Sequence, residues 1–370
     1  MKRILSFAVV ILLLYSVVPC IHAQVSTSAR AYVLYCANNG EVLLSDSPDE
    51  RLPMASTTKI MTTLLTLEEA AKDDRVVEFT DEMTAEGSSM YLKAGERVRL
   101  SDLAVGMMMS SGNDAANAAA IAIDGSIERF SVRMNRKAAE LGMTNTHFVT
   151  PSGLDDEAHY STARDMAILM AYALENDSFR ELTARRSAEV CFVKPPSKRV
   201  TYPNHNRLLS MYDGCIGGKT GYTMTAGRCL VTAAERDGMR LICVTLDAPD
   251  DWDDHMKLYD YGFANYTSVN PGTTGFTVPV VGGDGNSVEV YPAERSGIVV
   301  PREDADSIQT TVILPAFLYA PFTRGFIAGS VVFTSDRKTL GVIPMLCAES
   351  IAFDNSRRGF FQYISDVLRL

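Results

Sequence analysis

Two groups of strand-like segments, far apart in the chain, constrain the fold most. Near the N-terminus, Ala31–Tyr35 and Glu41–Leu44 flank the turn Asn38-Asn39-Gly40, a pattern that predicts a β-hairpin. Three later segments predict an antiparallel meander: Cys215–Tyr222, Arg228–Ala234 and Arg240–Leu246. The pattern between the groups, from Leu64 to about Leu182, is mostly helical. We therefore expect an α/β (α+β) fold in which one antiparallel sheet contains both groups and the helices pack on it.

The composition changes after Phe263, which predicts a second folded unit. Residues 271–350 are rich in Val, Thr, Gly and Pro, and their alternating runs predict a small C-terminal β domain: Gly275–Val281, Asn286–Tyr291 and Thr310–Leu314. The first unit is expected to span residues 24–265. A chain of 370 residues, 46% hydrophobic and 22% charged, is long enough for both units. Its net charge of -10 and lack of a basic patch argue against nucleic acid as a partner.

Both ends of the chain carry targeting patterns. Residues 1–23 combine Lys2-Arg3, an apolar run and a small-residue cleavage site, which predicts a signal peptide and an exported protein. An uncleaved membrane anchor is the alternative, although the run is short for a full span. Residues 355–370 place Phe360, Ile364 and Val367 on one helical face behind Arg357-Arg358. We expect an amphipathic helix that binds the membrane surface, or else one that docks on the β domain.

The cysteines do not form a metal-binding pattern. Once Cys20 is removed with the signal peptide, six scattered cysteines remain: Cys36, Cys191, Cys215, Cys229, Cys243 and Cys347. None has Cys-x-x-Cys or histidine-bearing spacing, so we expect no zinc site. Buried free thiols are the favoured interpretation, and a disulfide from Cys215 to Cys229 or Cys243 stays open in an exported protein.

A serine and a lysine stand three residues apart at the start of a helical pattern. After Pro53, apolar residues recur at helical spacing, so Ser56 and Lys59 share one helical face and their side chains can touch. A serine hydroxyl needs a neighbouring base to become a nucleophile, and a lysine of lowered pKa can be that base. A second match, Ser335 to Lys338, lies in a predicted strand-and-turn region without a following apolar helix, so we give it no catalytic role.

Two further short motifs follow in the chain. Ser111-Gly112-Asn113 could bring a second hydroxyl and a carboxamide to Ser56, but a helix-capping turn has the same pattern. Lys219-Thr220-Gly221 ends a predicted strand, where a cation and a hydroxyl suit a carboxylate and glycine permits close approach. Each motif alone is weak. In this order, Ser-x-x-Lys, a Ser-x-Asn motif and Lys-Thr-Gly form the signature of class A β-lactamases and penicillin-binding proteins.

The chain closely resembles the low-molecular-mass penicillin-binding proteins that act as serine-type D-alanyl-D-alanine carboxypeptidases. The resemblance covers roughly 29–263 and, more loosely, the remainder. It rests on six segments: Ala31–Tyr35, Arg51–Lys59, Ser111–Ala116, His147-Phe148, Ser161–Asp165 and Gly217–Thr223. The glycine in Ser-Gly-Asn matches the carboxypeptidases rather than the class A β-lactamases. The resemblance implies a penicillin-binding/transpeptidase-like domain, with an antiparallel sheet flanked by helices and a helical subdomain. The β domain follows it in the chain.

The resemblance also implies a role for each motif. Ser56 would form the acyl ester, Lys59 would accept its proton and Ser111 would shuttle a proton. Asn113 would hold the substrate amide, and the strand motif Lys219, Thr220 and Gly221 would bind the substrate, with the first two on its carboxylate. The backbone N–H groups of Ser56 and Tyr222 would form the oxyanion hole. No metal and no cofactor is implied.

The implied substrate is a peptidoglycan stem peptide ending in D-Ala-D-Ala, with β-lactams as covalent inhibitors. The enzyme would act as a peripheral protein at the outer face of the cytoplasmic membrane. A β-lactamase and a catalytically silent wall-binding protein are the competing functions. A D,D-endopeptidase that cuts cross-links is a variant within the leading enzyme class. Some relatives have an arginine after the third sheet strand, whereas Asp247–His255 is acidic here. We interpret His147 and His205 as structural or as shaping the cleft.

Overall fold

A computed structural model of the protein describes residues 25–270, 272, 275–293, 297–336 and 338–354. The predicted signal peptide (1–23) and the predicted amphipathic helix (355–370) lie outside these residues. Among the helices that the structure describes, none is long and apolar enough to cross a membrane.

The N-terminal region (residues 25–265) is built on a mixed set of helices and strands. Its strands are β1 (Ala31–Cys36), β2 (Glu41–Asp46), β3 (Val76–Glu78), β4 (Arg97–Arg99), β5 (Ser187–Cys191), β6 (Arg199–Pro203), β7 (Cys215–Thr223), β8 (Gly227–Arg236) and β9 (Met239–Leu246). Its helices are α1 (Lys59–Ala70), α2 (Leu100–Met109), α3 (Asn113–Asp124), α4 (Ile127–Glu140), α5 (Ala163–Leu174), α6 (Asp177–Ala184), α7 (Leu208–Met211) and α8 (Asp251–Asn265).

Five of these strands form one antiparallel sheet, in the order β2-β1-β9-β8-β7. The predicted hairpin and meander are both present, and pairing of Val33 with Val244 joins them into the single sheet that the sequence predicts. Residues alternate between its faces. Val33, Val231 and Val244 pack with the helices inserted between the two strand groups. On the other face, Leu34 and Leu230 pack against α8, so the sheet lies between two helical layers.

One short hairpin interrupts the region that the sequence pattern assigns mainly to helices, and a second one follows that region. Strand β3 pairs with β4, and β5 pairs with β6. In β3 and in β4 only the central residue, Val77 or Val98, is buried. Three residues with one buried side chain give no detectable period, which explains why the pattern did not reveal β3 and β4.

The C-terminal β region (residues 266–354) contains a second sheet with its own apolar core. Its strands are β10 (Tyr266–Val269), β11 (Phe276–Val281), β12 (Ser287–Pro292), β13 (Ile298–Pro301), β14 (Gln309–Ile313), β15 (Leu318–Tyr319), β16 (Ile327–Ser335) and β17 (Lys338–Cys347). The six-stranded sheet has the order β14-β16-β17-β12-β11-β15. The three predicted segments correspond to β11, β12 and β14. Ser335 pairs with Lys338 at the β16–β17 turn, the strand-and-turn context expected for them.

The six described cysteines are free thiols. Cys215 pairs with Ala234, whereas Cys229 pairs with Gly221 at the other end of β7. Cys243 lies on β9 opposite Thr232. The register therefore keeps the sulfurs apart, and neither of the disulfides left open by the sequence is formed.

Candidate active site

The Ser56 hydroxyl lies at the junction between a tight turn and a buried helix. Residues Ala55–Thr58 form a 3₁₀ turn that leads into α1. Ala55, directly before the serine, has φ +47°, a backbone conformation that costs free energy for a residue with a Cβ. Lys59 Nζ lies 2.8 Å from Ser56 Oγ. The Ser-x-x-Lys spacing thus brings the hydroxyl and the amine into direct contact.

The lysine amine is removed from solvent. Lys59 is fully buried, and its Nζ also donates to Asn113 Oδ1 at 2.6 Å and to the Ser152 carbonyl oxygen at 2.6 Å. Burial, followed by the nearby Lys219, holds the pKa of Lys59 well below its ordinary value, although the charge of Asp114 opposes this shift. A lowered pKa favours the neutral amine, which is the form that can accept a proton.

The Ser111-Gly112-Asn113 segment enters the site from the turn between α2 and α3. Ser111 has φ +58°, in the left-handed region. Its Oγ accepts a hydrogen bond from Lys219 Nζ at 2.9 Å. Asn113 begins α3, and its Nδ2 donates to the Glu86 carbonyl oxygen at 2.7 Å. These bonds fix both side chains beside Lys59.

Asp114 is a supporting residue that the sequence interpretation missed. Its buried carboxylate accepts hydrogen bonds from Ser89 Oγ at 2.7 Å, Met90 N at 2.8 Å and Leu92 N at 3.1 Å. These bonds hold the loop between β3 and β4 against the site. The only signal in the sequence was an aspartate directly after Ser-Gly-Asn, where a helix N-terminus commonly has one.

Strand β7 forms the opposite wall of the site. Lys219 is buried, which lowers its pKa to about 7, and its Nζ donates to the Thr220 carbonyl oxygen at 2.7 Å as well as to Ser111. A Cβ on Gly221 would lie 3.1 Å from Ser56 N and 3.0 Å from the Met54 carbonyl oxygen. Glycine at this position therefore allows the strand to approach the serine turn closely. Tyr222, the next residue, is 62% exposed and lies at the mouth of the site.

A buried histidine is hydrogen bonded to the 3₁₀ turn that contains Ser56. His159 Nε2 lies 2.8 Å from Thr58 Oγ1, and its Nδ1 accepts a hydrogen bond from Val149 N at 2.9 Å. Because Nδ1 accepts, Nε2 carries the proton and donates to Thr58. Burial lowers the pKa of His159 to about 4. The sequence analysis considered His147 and His205 but not His159. His159 holds Val149, three residues before the Ser152 carbonyl that accepts a hydrogen bond from Lys59.

The two histidines considered in the sequence analysis, His147 and His205, differ in their surroundings. His147 is exposed, and its Nδ1 lies 2.6 Å from the Ala158 carbonyl oxygen, so it stabilises a loop. Partial burial, followed by the charge of Lys219, lowers the pKa of His205. Neither histidine is hydrogen bonded to Ser56 or Lys59 within the described residues.

The acidic turn after β9 is approached by an arginine from the neighbouring strand. Arg228 on β8 donates to Asp251 Oδ1 at 2.7 Å, and its guanidinium lies 5.7 Å from the Trp252 ring centroid. Trp252 is half-buried. The turn itself supplies no arginine, and Arg228 is engaged with its carboxylate.

Comparisons with known proteins agree with this architecture. A family model described as D-alanyl-D-alanine carboxypeptidase matches residues 19–250, and a model of the penicillin-binding protein 5 C-terminal domain matches residues 263–352. The carboxypeptidase DacF of Bacillus subtilis is 32% identical over 386 residues, which cover 98% of this chain and 97% of DacF. DacC of Escherichia coli is 35% identical over 366 residues, which cover 93% of this chain and 88% of DacC.

The same likeness is found among solved structures. Penicillin binding protein 5 from Haemophilus influenzae superposes with a TM-score of 0.66 at 30% identity, covering 88% of this chain and 98% of that chain. The fold is therefore the penicillin-binding type of a serine peptidase, followed by a small β domain. The chain belongs to the D-alanyl-D-alanine carboxypeptidase family. It is a serine-type carboxypeptidase, as the resemblance in its motifs predicts.

Proposed function

We propose that Ser56 performs the family's reaction by forming an acyl ester with the penultimate D-alanine of a peptidoglycan stem. The contact of Ser56 Oγ with Lys59 Nζ, 2.8 Å, is the observation that carries this assignment. Neutral Lys59 takes the hydroxyl proton as Oγ attacks the carbonyl carbon. The backbone N–H groups of Ser56 and Tyr222 stabilise the oxyanion that forms between the serine turn and β7.

Collapse of the tetrahedral intermediate releases the terminal D-alanine. Its nitrogen needs a proton, and Ser111 Oγ, which is held by Lys219 Nζ at 2.9 Å, supplies one. The proton that Lys59 took from Ser56 replaces it on Ser111, so Lys59 is neutral again. Asn113 holds the amide on the acyl side. Lys219 and Thr220 bind the terminal carboxylate, and Gly221 lets the strand lie close to the scissile bond. Water then attacks the ester carbonyl while neutral Lys59 accepts its proton. Lys59 returns that proton to Ser56 Oγ as the ester C–O bond breaks, which releases the shortened stem and regenerates the enzyme.

The same site accounts for β-lactam sensitivity. The lactam carbonyl acylates Ser56 in place of the peptide carbonyl, and the ring carboxylate takes the position of the terminal carboxylate. Fast deacylation of a β-lactam in class A enzymes needs a second base. Within residues 25–270 no carboxylate is hydrogen bonded to Ser56 or Lys59. This favours a carboxypeptidase over the β-lactamase alternative, and the contact between the two side chains argues against a catalytically silent protein.

The proposed localisation rests on two sequence patterns. We propose that residues 1–23 direct export, that residues 24–265 form the catalytic domain and that the β domain (271–350) separates it from the membrane. The amphipathic segment 355–370 binds the membrane surface. A form that ends at Asp354 should leave the membrane fraction and keep soluble activity. Retention of the truncated, signal-cleaved form on membranes would exclude this mode of attachment.

Intact mass spectrometry tests the assignment of the nucleophile. The mature protein is incubated with benzylpenicillin, and D-alanine release from diacetyl-Lys-D-Ala-D-Ala is measured in parallel. We expect one penicillin adduct and D-alanine release for the wild type and for Ser335→Ala, and neither for Ser56→Ala. An adduct that persists in Ser56→Ala would disprove the assignment. Rapid turnover of a chromogenic cephalosporin would favour the β-lactamase.

A further inference from the structure

Exposed apolar side chains gather at one end of the C-terminal β region, where β15 pairs with the end of β11. The buried Val280 lies opposite Leu318, which packs on the apolar core. The next pair, Val281 and Tyr319, lies on the other face. Tyr319 is 72% exposed and Val281 is 45% exposed. The exposed Phe317 contacts Tyr319 edge to face, with 5.1 Å between the ring centroids. Three large apolar side chains are therefore in contact with solvent at this end of the sheet.

The last described residues of the chain run beside this group. Phe353 forms an isolated bridge with Gly283, and Asp354 N donates to the Gly282 carbonyl oxygen at 3.0 Å. Gly282 directly follows Val281. Phe353 is 49% exposed and adds a fourth apolar side chain. Together these side chains form a surface that we call the apolar tip: Val281, Phe317, Tyr319 and Phe353.

The apolar tip and the contact with the N-terminal region lie at opposite ends of the second sheet. Strand β13 lies beside Gly341 of β17 and contributes Val299 to the apolar cluster that includes α8. Cys347 is six residues further along β17. The register places Phe276 of β11 at the level of Cys347, and Val281 is five residues beyond Phe276. The tip is therefore separated from β13 by roughly 35 Å of strand. A surface that binds the tip would leave the N-terminal region at a distance.

We propose that the apolar tip inserts into the membrane interface beside the segment that follows it. The inference rests on the proposed attachment of residues 355–370 to the membrane surface. Because that segment begins directly after Asp354, its binding to lipid brings Phe353 within about 7 Å of the interface, the length of two extended residues. Aromatic side chains are favoured at this depth, where the ring meets lipid and a tyrosine hydroxyl meets water. Two linked contacts also bind a surface more tightly than either contact alone.

Apolar contact, rather than charge, is expected to supply the contribution of the tip. Asp284 accepts a hydrogen bond from Ala352 N at 3.0 Å, and Asp354 directly follows Phe353. These carboxylates beside the tip give no attraction to anionic lipid, whereas Arg357-Arg358 in the following segment would. The contribution of the tip should therefore be the same on neutral and on anionic membranes.

Vesicle sedimentation of the mature full-length protein provides the first test, with phosphatidylcholine alone and with phosphatidylglycerol added. Combining Tyr319→Ser with Phe353→Ser should lower the partition coefficient by about tenfold on both kinds of vesicle, because two large apolar side chains no longer leave water. Ile313→Ser is the matched control and should bind like the wild type. Ile313 is 55% exposed on β14, the opposite edge strand of the same sheet.

The outcomes separate the tip from the rest of the protein. Binding of the double variant within about twofold of the wild type would overturn the role of the tip alone. A wild type that does not bind either kind of vesicle would overturn the proposed attachment as well. Benzylpenicillin acylation of the same samples reports on the proposed catalytic function separately.

Tryptophan fluorescence locates the contact without removing an apolar side chain. Tyr319→Trp and Ile313→Trp each add one indole to a chain whose single tryptophan, Trp252, lies in the N-terminal region. With vesicles of brominated phosphatidylcholine, we expect the added fluorescence to be quenched in Tyr319→Trp and not in Ile313→Trp. Equal quenching in both variants, or in neither, would overturn the inference. A dimer that forms without vesicles and is lost in Tyr319→Ser, with no quenching in Tyr319→Trp, would assign the tip to a contact between two copies instead.

Discussion

The N-terminal region and the C-terminal β region bury different kinds of side chain. Among the described residues, every buried polar or charged side chain lies between Thr57 and His255. The buried side chains of the second sheet are apolar, as in Val290, Val331 and Phe333. Burying charge is costly unless it is hydrogen bonded. The N-terminal region buries such groups at its active site. The described part of the C-terminal β region buries apolar side chains, which serve to stabilise its core.

The two regions also share a sequence motif, which makes the comparison testable. Ser56 and Lys59 are enclosed by α1, α3 and β7, while Ser335 and Lys338 face each other at a hairpin turn. Lys338 is exposed and Lys59 is fully buried. The spacing is identical, so the difference in chemistry must come from burial and from the residues that surround the lysine.

The largest expected effect is the loss of the buried lysine. Lys59→Gln removes the base that accepts the Ser56 proton, and the rate of benzylpenicillin acylation should fall by about a thousandfold, within the usual range for a general base. Lys338→Gln should leave the rate unchanged. Stopped-flow or quenched-mass kinetics measure both. A comparable loss in Lys338→Gln would mean that burial does not distinguish the motifs.

The next effect concerns the response of the two regions to acid. Burial lowers the pKa of His159 to about 4 and that of His255 to about 3, and the sequence has no histidine after His255. Between pH 6.5, the ordinary pKa of histidine, and these lowered pKa values, the unfolded chain binds protons that the folded chain does not. Stability is therefore lost as pH falls. At pH 5, each histidine should lower the free energy of unfolding of the N-terminal region by about 2 kcal/mol.

Differential scanning calorimetry at pH 7.5 and pH 5.0 measures this effect. The transition that shifts when benzylpenicillin is bound identifies the N-terminal region, and that transition should fall most with acid. His255→Gln should reduce the dependence of stability on pH, whereas His147→Gln serves as the exposed control. If acid lowered the melting temperature of the C-terminal β region more than that of the N-terminal region, the proposed contrast between the regions would be wrong.

Local patterns in the sequence predicted more of the fold than of the site's supporting residues. Alternation and turn residues located the strands of the first sheet, since those signals lie within a few neighbouring positions. The motif residues were found because their types and order match a known signature. Asp114 and His159 were missed because their roles arise from contacts with distant segments. His159, for example, meets Thr58, 101 residues away in the chain, and no local pattern reports such a contact.

The smallest expected effect separates two neighbouring threonines of α1. Thr62 and Thr63 are both fully buried. Thr62 Oγ1 donates to the Pro151 carbonyl oxygen at 2.6 Å, whereas Thr63 Oγ1 has no hydrogen-bond partner among the described residues. Thr62→Val should lower the free energy of unfolding by about 1–3 kcal/mol, because a buried carbonyl loses its partner. Thr63→Val should raise it by about 1 kcal/mol, because a buried hydroxyl without a partner is replaced by a methyl.

Thermal unfolding of the two variants measures the difference directly. A change of about 1 kcal/mol corresponds to roughly 2–4 °C in the melting temperature of a region of this size. Thr63 is not part of the proposed machinery, so Thr63→Val should keep wild-type acylation while its melting temperature rises. Thr62 contacts the segment that carries Ser152, so Thr62→Val should also slow acylation. If both variants were destabilised equally, the Thr63 hydroxyl would have a partner after all, and every buried polar group on α1 would contribute to stability.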